Sequence, residues 1–80
     1  MIIKMIVAAQ GYDGPDFFFC KVHCSKEDYE NGIHYDIAKA EAAKAGYEKP
    51  MIAIDENDPA GKAISDKFVW ESATTYPQSN

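Results

Sequence analysis

The chain has no arginine and no leucine. Without arginine it lacks the planar fork that reads guanine and grips phosphate in pairs. Its eight lysines are scattered and face thirteen acidic residues, for a net charge of −5. A binder of nucleic acid must neutralise phosphates with cations, so this balance excludes direct nucleic-acid contact. No apolar run approaches the roughly 20 residues of a membrane-spanning helix. The opening run, interrupted by Lys4 and closed by Gln10, is too short for a signal peptide. Cysteine is also scarce. Cys20 and Cys24 fall in one apolar, aromatic stretch. On a strand they stand about 13 Å apart, where a disulfide needs about 7 Å. Two unpaired, buried thiols fit a reducing cytoplasm.

What is present is a globular composition. The 80 residues are 46% hydrophobic and 12% aromatic, too apolar for a disordered chain and long enough for one small domain. Eleven Ala, eight Ile and nine Phe or Tyr supply the apolar mass. Residues 1–76 are read as that domain, with Pro77–Asn80 as a frayed tail.

The β-branched run 2–9 reads as a first strand and the turn formers of 11–16 as a loop. Phe17–Cys24 reads as a second strand, antiparallel to the first. Its two-residue period puts Phe18, Cys20, Val22 and Cys24 on one face and Phe17, Phe19, Lys21 and His23 on the other. Ser25 opens a helical signal, with Asp28 three residues on as the acidic half of a capping box. The pair Asn31-Gly32 either ends a short helix or weakens one long helix. Ile33–Ala45 is helical, with Ala38 and Ala42 in a small-residue stripe suited to close packing on a sheet, and Gly46 as its stop. Met51–Ile54 reads as a third strand, central because both of its faces are apolar. Asp58-Pro59 is an N-cap followed by a favoured first helical residue, opening a helix of one or two turns to about Asp66. Phe68–Thr75 reads as a fourth strand. The expected fold is a two-layer α+β sandwich. It has a mainly antiparallel sheet of three or four strands and one main helix, in the order β-β-α-β-short α-β.

No residue pattern spells out a reaction. Cys20, His23, Cys24 and His34 are the right types for zinc, but on a strand Cys20 and His23 point to opposite faces. Asp55-Glu56-Asn57-Asp58 begins like a calcium loop, yet Pro59 and Ala60 stand where that loop needs an oxygen ligand and a glycine. Glu30 and His34, at helical spacing, read as a surface pair that stabilises locally. No nucleophile has a base in a recognisable context and no glycine-rich loop follows a strand. Neither a metal nor a cofactor is expected, and the chain reads as a non-enzyme.

The acidic groups are the more informative feature. Asp13 and Asp16 lie in the first loop, Glu27, Asp28 and Glu30 at the helix start, and Asp55, Glu56 and Asp58 after the third strand. Besides capping and solubility, two of these groups can converge into a ridge of carboxylates for a basic partner. Whether the third strand runs parallel or antiparallel to the second decides which two. Phe17 and Phe19 form a second candidate surface, either covered by the C-terminal segment or open to a partner or a second copy.

Three segments carry a resemblance: Tyr29-Glu30-Asn31-Gly32-Ile33-His34-Tyr35, Gly46-Tyr47-Glu48-Lys49-Pro50 and Asp55-Glu56-Asn57-Asp58-Pro59-Ala60-Gly61. With them, the chain resembles the small acidic α+β proteins of phages and other mobile elements, a group that includes anti-CRISPR proteins. The resemblance implies an inhibitor that works by binding, often with carboxylates placed where DNA phosphates would sit. Its implied partner is a basic surface on a nucleic-acid-handling host complex. The alternative is a phage structural or accessory domain that self-associates through its aromatic sheet face.

Overall fold

The computed structural model describes residues 1–48 and 50–76, so the expected fraying of Pro77–Asn80 lies outside the described residues. The order is β1 (Ile2–Gly11), β2 (Gly14–His23), α1 (Lys26–Glu30), α2 (Ile33–Lys44), β3 (Met51–Asp55), α3 (Pro59–Ser65), a 3₁₀ turn at Trp70–Ser72, and β4 (Thr75–Tyr76). The strands form one sheet in the order β3-β1-β2-β4. β1 is antiparallel to both β2 and β3, and β4 is parallel to β2. This is the expected two-layer α+β sandwich, with α2 on one face of a mixed sheet.

The long hairpin follows from alternation. Its register pairs Ile3 with Val22, Met5 with Cys20 and Val7 with Phe18. Ile3, Met5, Val7, Cys20 and Val22 are all buried on that face, where they meet Ala38 and Ala42 of α2. Each alanine is fully buried, and its single methyl lets helix and sheet approach closely. The turn is tighter than expected, with only Tyr12 and Asp13 outside the strands, so that Pro15 and Asp16 belong to β2. The Met1 carbonyl accepts from the Cys24 amide, and the same alternation makes even-numbered β2 residues the ones that bond to β1. Pro15 is odd-numbered, so the N–H it lacks is one that β1 does not use.

The helical signal does break at Asn31-Gly32. Gly32 has φ 74°, a left-handed conformation that separates two helices and that side chains resist. Ser25 caps α1, its hydroxyl accepting from the Asp28 amide, and Asp58 caps α3 by accepting from the Ala60 amide.

Two strand expectations are corrected. β3 is an edge strand, not a central one. α2 packs on one of its apolar faces, and on the other α3 reaches Ile54 while Ile52 stays exposed, so apolar side chains on both faces do not make the strand central. Phe68–Thr75 is not a strand, and pairing is confined to Thr75–Tyr76. Phe68 and Trp70 instead stack on each other at 5.1 Å, and both meet Phe19 edge-on, at 4.0 and 5.7 Å. The Trp70 indole N–H donates to the Ser65 carbonyl and hydroxyl, and Lys4 Nζ lies 5.7 Å from the centre of its ring. The C-terminal segment thus covers part of the second face, over the fully buried Ile6.

The close contact of α2 gives a direct test. Ala42→Leu should overpack the helix–sheet contact and cost about 1–3 kcal/mol. That is a melting temperature lower by several degrees in a domain of this size, readable by calorimetry. An unchanged melt would contradict this placement of α2.

Candidate functional site

β3 is antiparallel to β1 and therefore runs in the same direction as β2. The loop after β3 consequently emerges at the end of the sheet where β2 leads into α1. The Asn57 side-chain amide donates to the Tyr29 hydroxyl at 3.4 Å, tying that loop to α1. Two of the three acidic groups therefore share one end. Glu27, Asp28, Glu30 and Asp58 are exposed there, and Glu56 is half-buried. Lys26 shares this end, as does the Met1 ammonium, which donates to the Cys24 carbonyl at 2.8 Å. Asp13 and Asp16 flank the hairpin turn at the opposite end and take no part in this surface.

Asp55 differs from its neighbours in sequence. It is only 7% exposed, so it is not one of the carboxylates offered to a partner. Its Oδ1 accepts from the backbone amides of Asn57 at 2.9 Å and Asp58 at 3.1 Å. Its Oδ2 accepts from the Tyr35 hydroxyl at 3.2 Å and lies 3.7 Å from His34 Nε2. Held this way, the carboxylate folds the loop back on itself and sets the positions of Glu56 and Asp58. Gly61 completes the fit, because a Cβ at that position would collide with the Asp55 carbonyl oxygen.

His34 is also placed differently from expectation. The break at Gly32 puts Glu30 and His34 on separate helices, so the surface pair between them does not form. The ring is 2% exposed and is stacked between Tyr29, at 4.7 Å, and Tyr35, at 4.2 Å. Neither ring nitrogen has a hydrogen-bond partner among the described residues. Burial first, then the charge and hydrogen bond of Asp55, hold the Tyr35 hydroxyl above its ordinary pKa. Sequence reasoning missed this cluster of Tyr29, His34, Tyr35 and Asp55. Its one local signal is the acidic residue closing an otherwise apolar strand.

Phe17 and Phe19 are half-buried. Phe19 packs against Phe68 and Trp70, and with Phe17 it also lines a shallow cavity of about 640 Å³ closed by Ala63, Ile64, Lys67, Phe68 and Val69. Cys20 and Cys24 are free and buried on the helix face. Burial, reinforced by Glu41, pushes the Cys20 thiol from 9.0 up to about 12. Among the described residues no three His, Cys, Asp or Glu side chains gather as metal ligands, and no helix is long and apolar enough to cross a membrane. Comparison with protein-family models, curated proteins and solved structures finds no match.

Two measurements test these placements. Asp55→Ala strands the Asn57 and Asp58 amides and should cost about 1–3 kcal/mol. Asp55→Asn keeps an oxygen at Oδ1 and should cost clearly less in the same denaturant titration, and equal losses would contradict the loop-folding role. For Cys20, the unfolded chain releases its proton near pH 9 while the native thiol holds it to about 12. Native stability should therefore fall as pH rises through that window. The slope should be shallower in Cys20→Ala, and parallel slopes would remove Cys20 as a cause.

Proposed function

We propose that this chain is a non-enzymatic inhibitor, of the kind represented by anti-CRISPR proteins. It occupies a basic nucleic-acid-binding surface of a host protein complex with the carboxylates of its α1 end. The observation that supports the reading is topological. Because β3 runs parallel to β2, Glu56 and Asp58 come beside Glu27, Asp28 and Glu30, on a loop pinned from below by Asp55 and from the side by Tyr29. A loop whose backbone is already held loses less conformational freedom on binding, and the charge it carries steers encounter with a cationic groove. Asp13 and Asp16 contribute to the overall charge only.

The test uses the complex captured by the tagged chain from its host cell. Association should slow several-fold between low and physiological salt, since screening weakens steering, and duplex DNA should compete for the same site. Replacing Glu27 and Asp28, or Glu56 and Asp58, by their amides keeps shape while removing charge. Asn caps α3 as well as Asp does, so the fold survives the change at Asp58. Each pair of substitutions should weaken binding with an unchanged melting temperature. Binding that ignores salt and both pairs, yet is abolished by Phe17→Ser, would overturn the reading in favour of the aromatic face.

A further inference from the structure

Among the described residues nothing pairs with the outer edge of β3, and the backbone of the strand states which groups are available there. The Glu56 amide donates to the Lys4 carbonyl, in line with the register that pairs Ile54 with Ile6 and Ile52 with Ala8. In an antiparallel ladder, bonded and non-bonded pairs alternate. Ile52 and Ile54 therefore spend their N–H and C=O groups on β1, while those of Met51, Ala53 and Asp55 point away from the sheet. Of these, the Asp55 carbonyl is already taken, since it accepts from the Asp58 amide and Gly61 packs against it.

Natural edge strands are guarded by lysines, bulges, or proline within the strand. β3, Met-Ile-Ala-Ile-Asp, has none of these, and its one charged side chain is turned inward among Tyr35 and His34. Ile52 is instead 68% exposed on the face toward α3. Beside the strand, on the α2 side, runs a groove of about 800 Å³ lined by Asp36, Lys39, Ala40, Ala43, Pro50 and Met51.

We propose that β3 is a self-association edge, and that two copies join antiparallel about a two-fold axis through Ala53. The strand is self-complementary about that residue. Ala53 meets Ala53 of the second copy and exchanges both backbone bonds with it. Met51 meets Asp55, where the Asp55 N–H donates to the Met51 carbonyl of the second copy. Ile52 meets Ile54, so the exposed isoleucine is covered by another apolar side chain. The two four-stranded sheets become one.

Charge complementarity identifies the occupant as a second copy. With two strand edges between them, the α2 helices lie about 14 Å apart, beyond the roughly 8–10 Å of direct helix packing. Long side chains must bridge that space. Among the described residues lining the groove, each copy offers one acid, Asp36, and one base, Lys39, and antiparallel helices present the acid of one to the base of the other. The acidic α1 end lies at the end of the strands, away from the middle of this edge, so the dimer leaves it open. The inference therefore does not rest on the proposed inhibitory function.

Sedimentation equilibrium over about a hundredfold concentration range should show a reversible monomer–dimer equilibrium that follows mass action. Amide exchange at Met51 and Ala53 should slow as concentration rises. Ile52→Lys places a charge at the seam without disturbing the fold, since the side chain is exposed, and should leave a monomer with a native melt. Ala53→Pro removes the central outward N–H and should do the same; if it fails to fold, Ile52→Lys still decides. Asp36→Lys alone should weaken the dimer at least several-fold, and the exchanged pair Asp36→Lys with Lys39→Asp should restore it. A chain that stays monomeric throughout would overturn the proposal. So would a dimer indifferent to Ile52→Lys, or one in which the exchanged pair fails to rescue.

Discussion

A single buried carboxylate organises one end of this molecule. Taking Asp55 out of water is costly unless each of its oxygens finds a donor, and both do: two amides on one side, a tyrosine hydroxyl on the other. Those donors come from the loop after β3 and from α2, so meeting the electrostatic need of one side chain fixes the relative position of three elements. The exposed acids of α1 and of the Glu56–Asp58 loop are thus carried by a buried acid that takes no part in their surface.

The sheet distributes its apolar surface unevenly. One face is closed by alanines at short range, a contact that needs no large side chain and suits a chain without leucine. The other is closed by aromatic rings at longer range, with Phe19 under Phe68 and Trp70 and a lysine laid across the indole. Small residues give close approach where a helix lies flat. Rings give reach where an irregular segment must cover ground without regular structure of its own.

Local chemistry made much of this legible. Capping by Ser25 and Asp58, the extent of α2, and the alternating faces of β2 each depend on residues close in sequence. What escaped depends on distance along the chain. Asp55 reads as one more solvated acid until Tyr35, twenty residues earlier, is brought over it. Apolar β3 reads as central because both of its faces are apolar, yet apolar side chains speak to what lies above and below a strand and not to what lies beside it. Phe68 and Trp70 have the two-residue spacing of a strand, yet here that spacing places two rings on Phe19, and the backbone between them does not pair. His34 looked like a helix-surface residue because Gly32 left the continuity of the helix open.

The shortness of β4 bears on the order in which the molecule comes apart. Among the described residues β4 meets β2 at two residue pairs, Lys21 with Thr75 and Val22 with Tyr76. Bringing those segments together closes a loop of more than fifty residues, and the entropy of closure must be met by very few bonds. The hairpin of β1 and β2, by contrast, is ten residue pairs of contiguous chain. Opening therefore begins at β4, well below the free energy of global unfolding. The partly opened form frees the Lys21–Val22 stretch of the far edge of β2 and so lengthens the unpaired edge of a ten-residue strand, an invitation to strand pairing between chains. In a mildly destabilised variant, aggregation would start from this side of the sheet while the core under α2 is still intact.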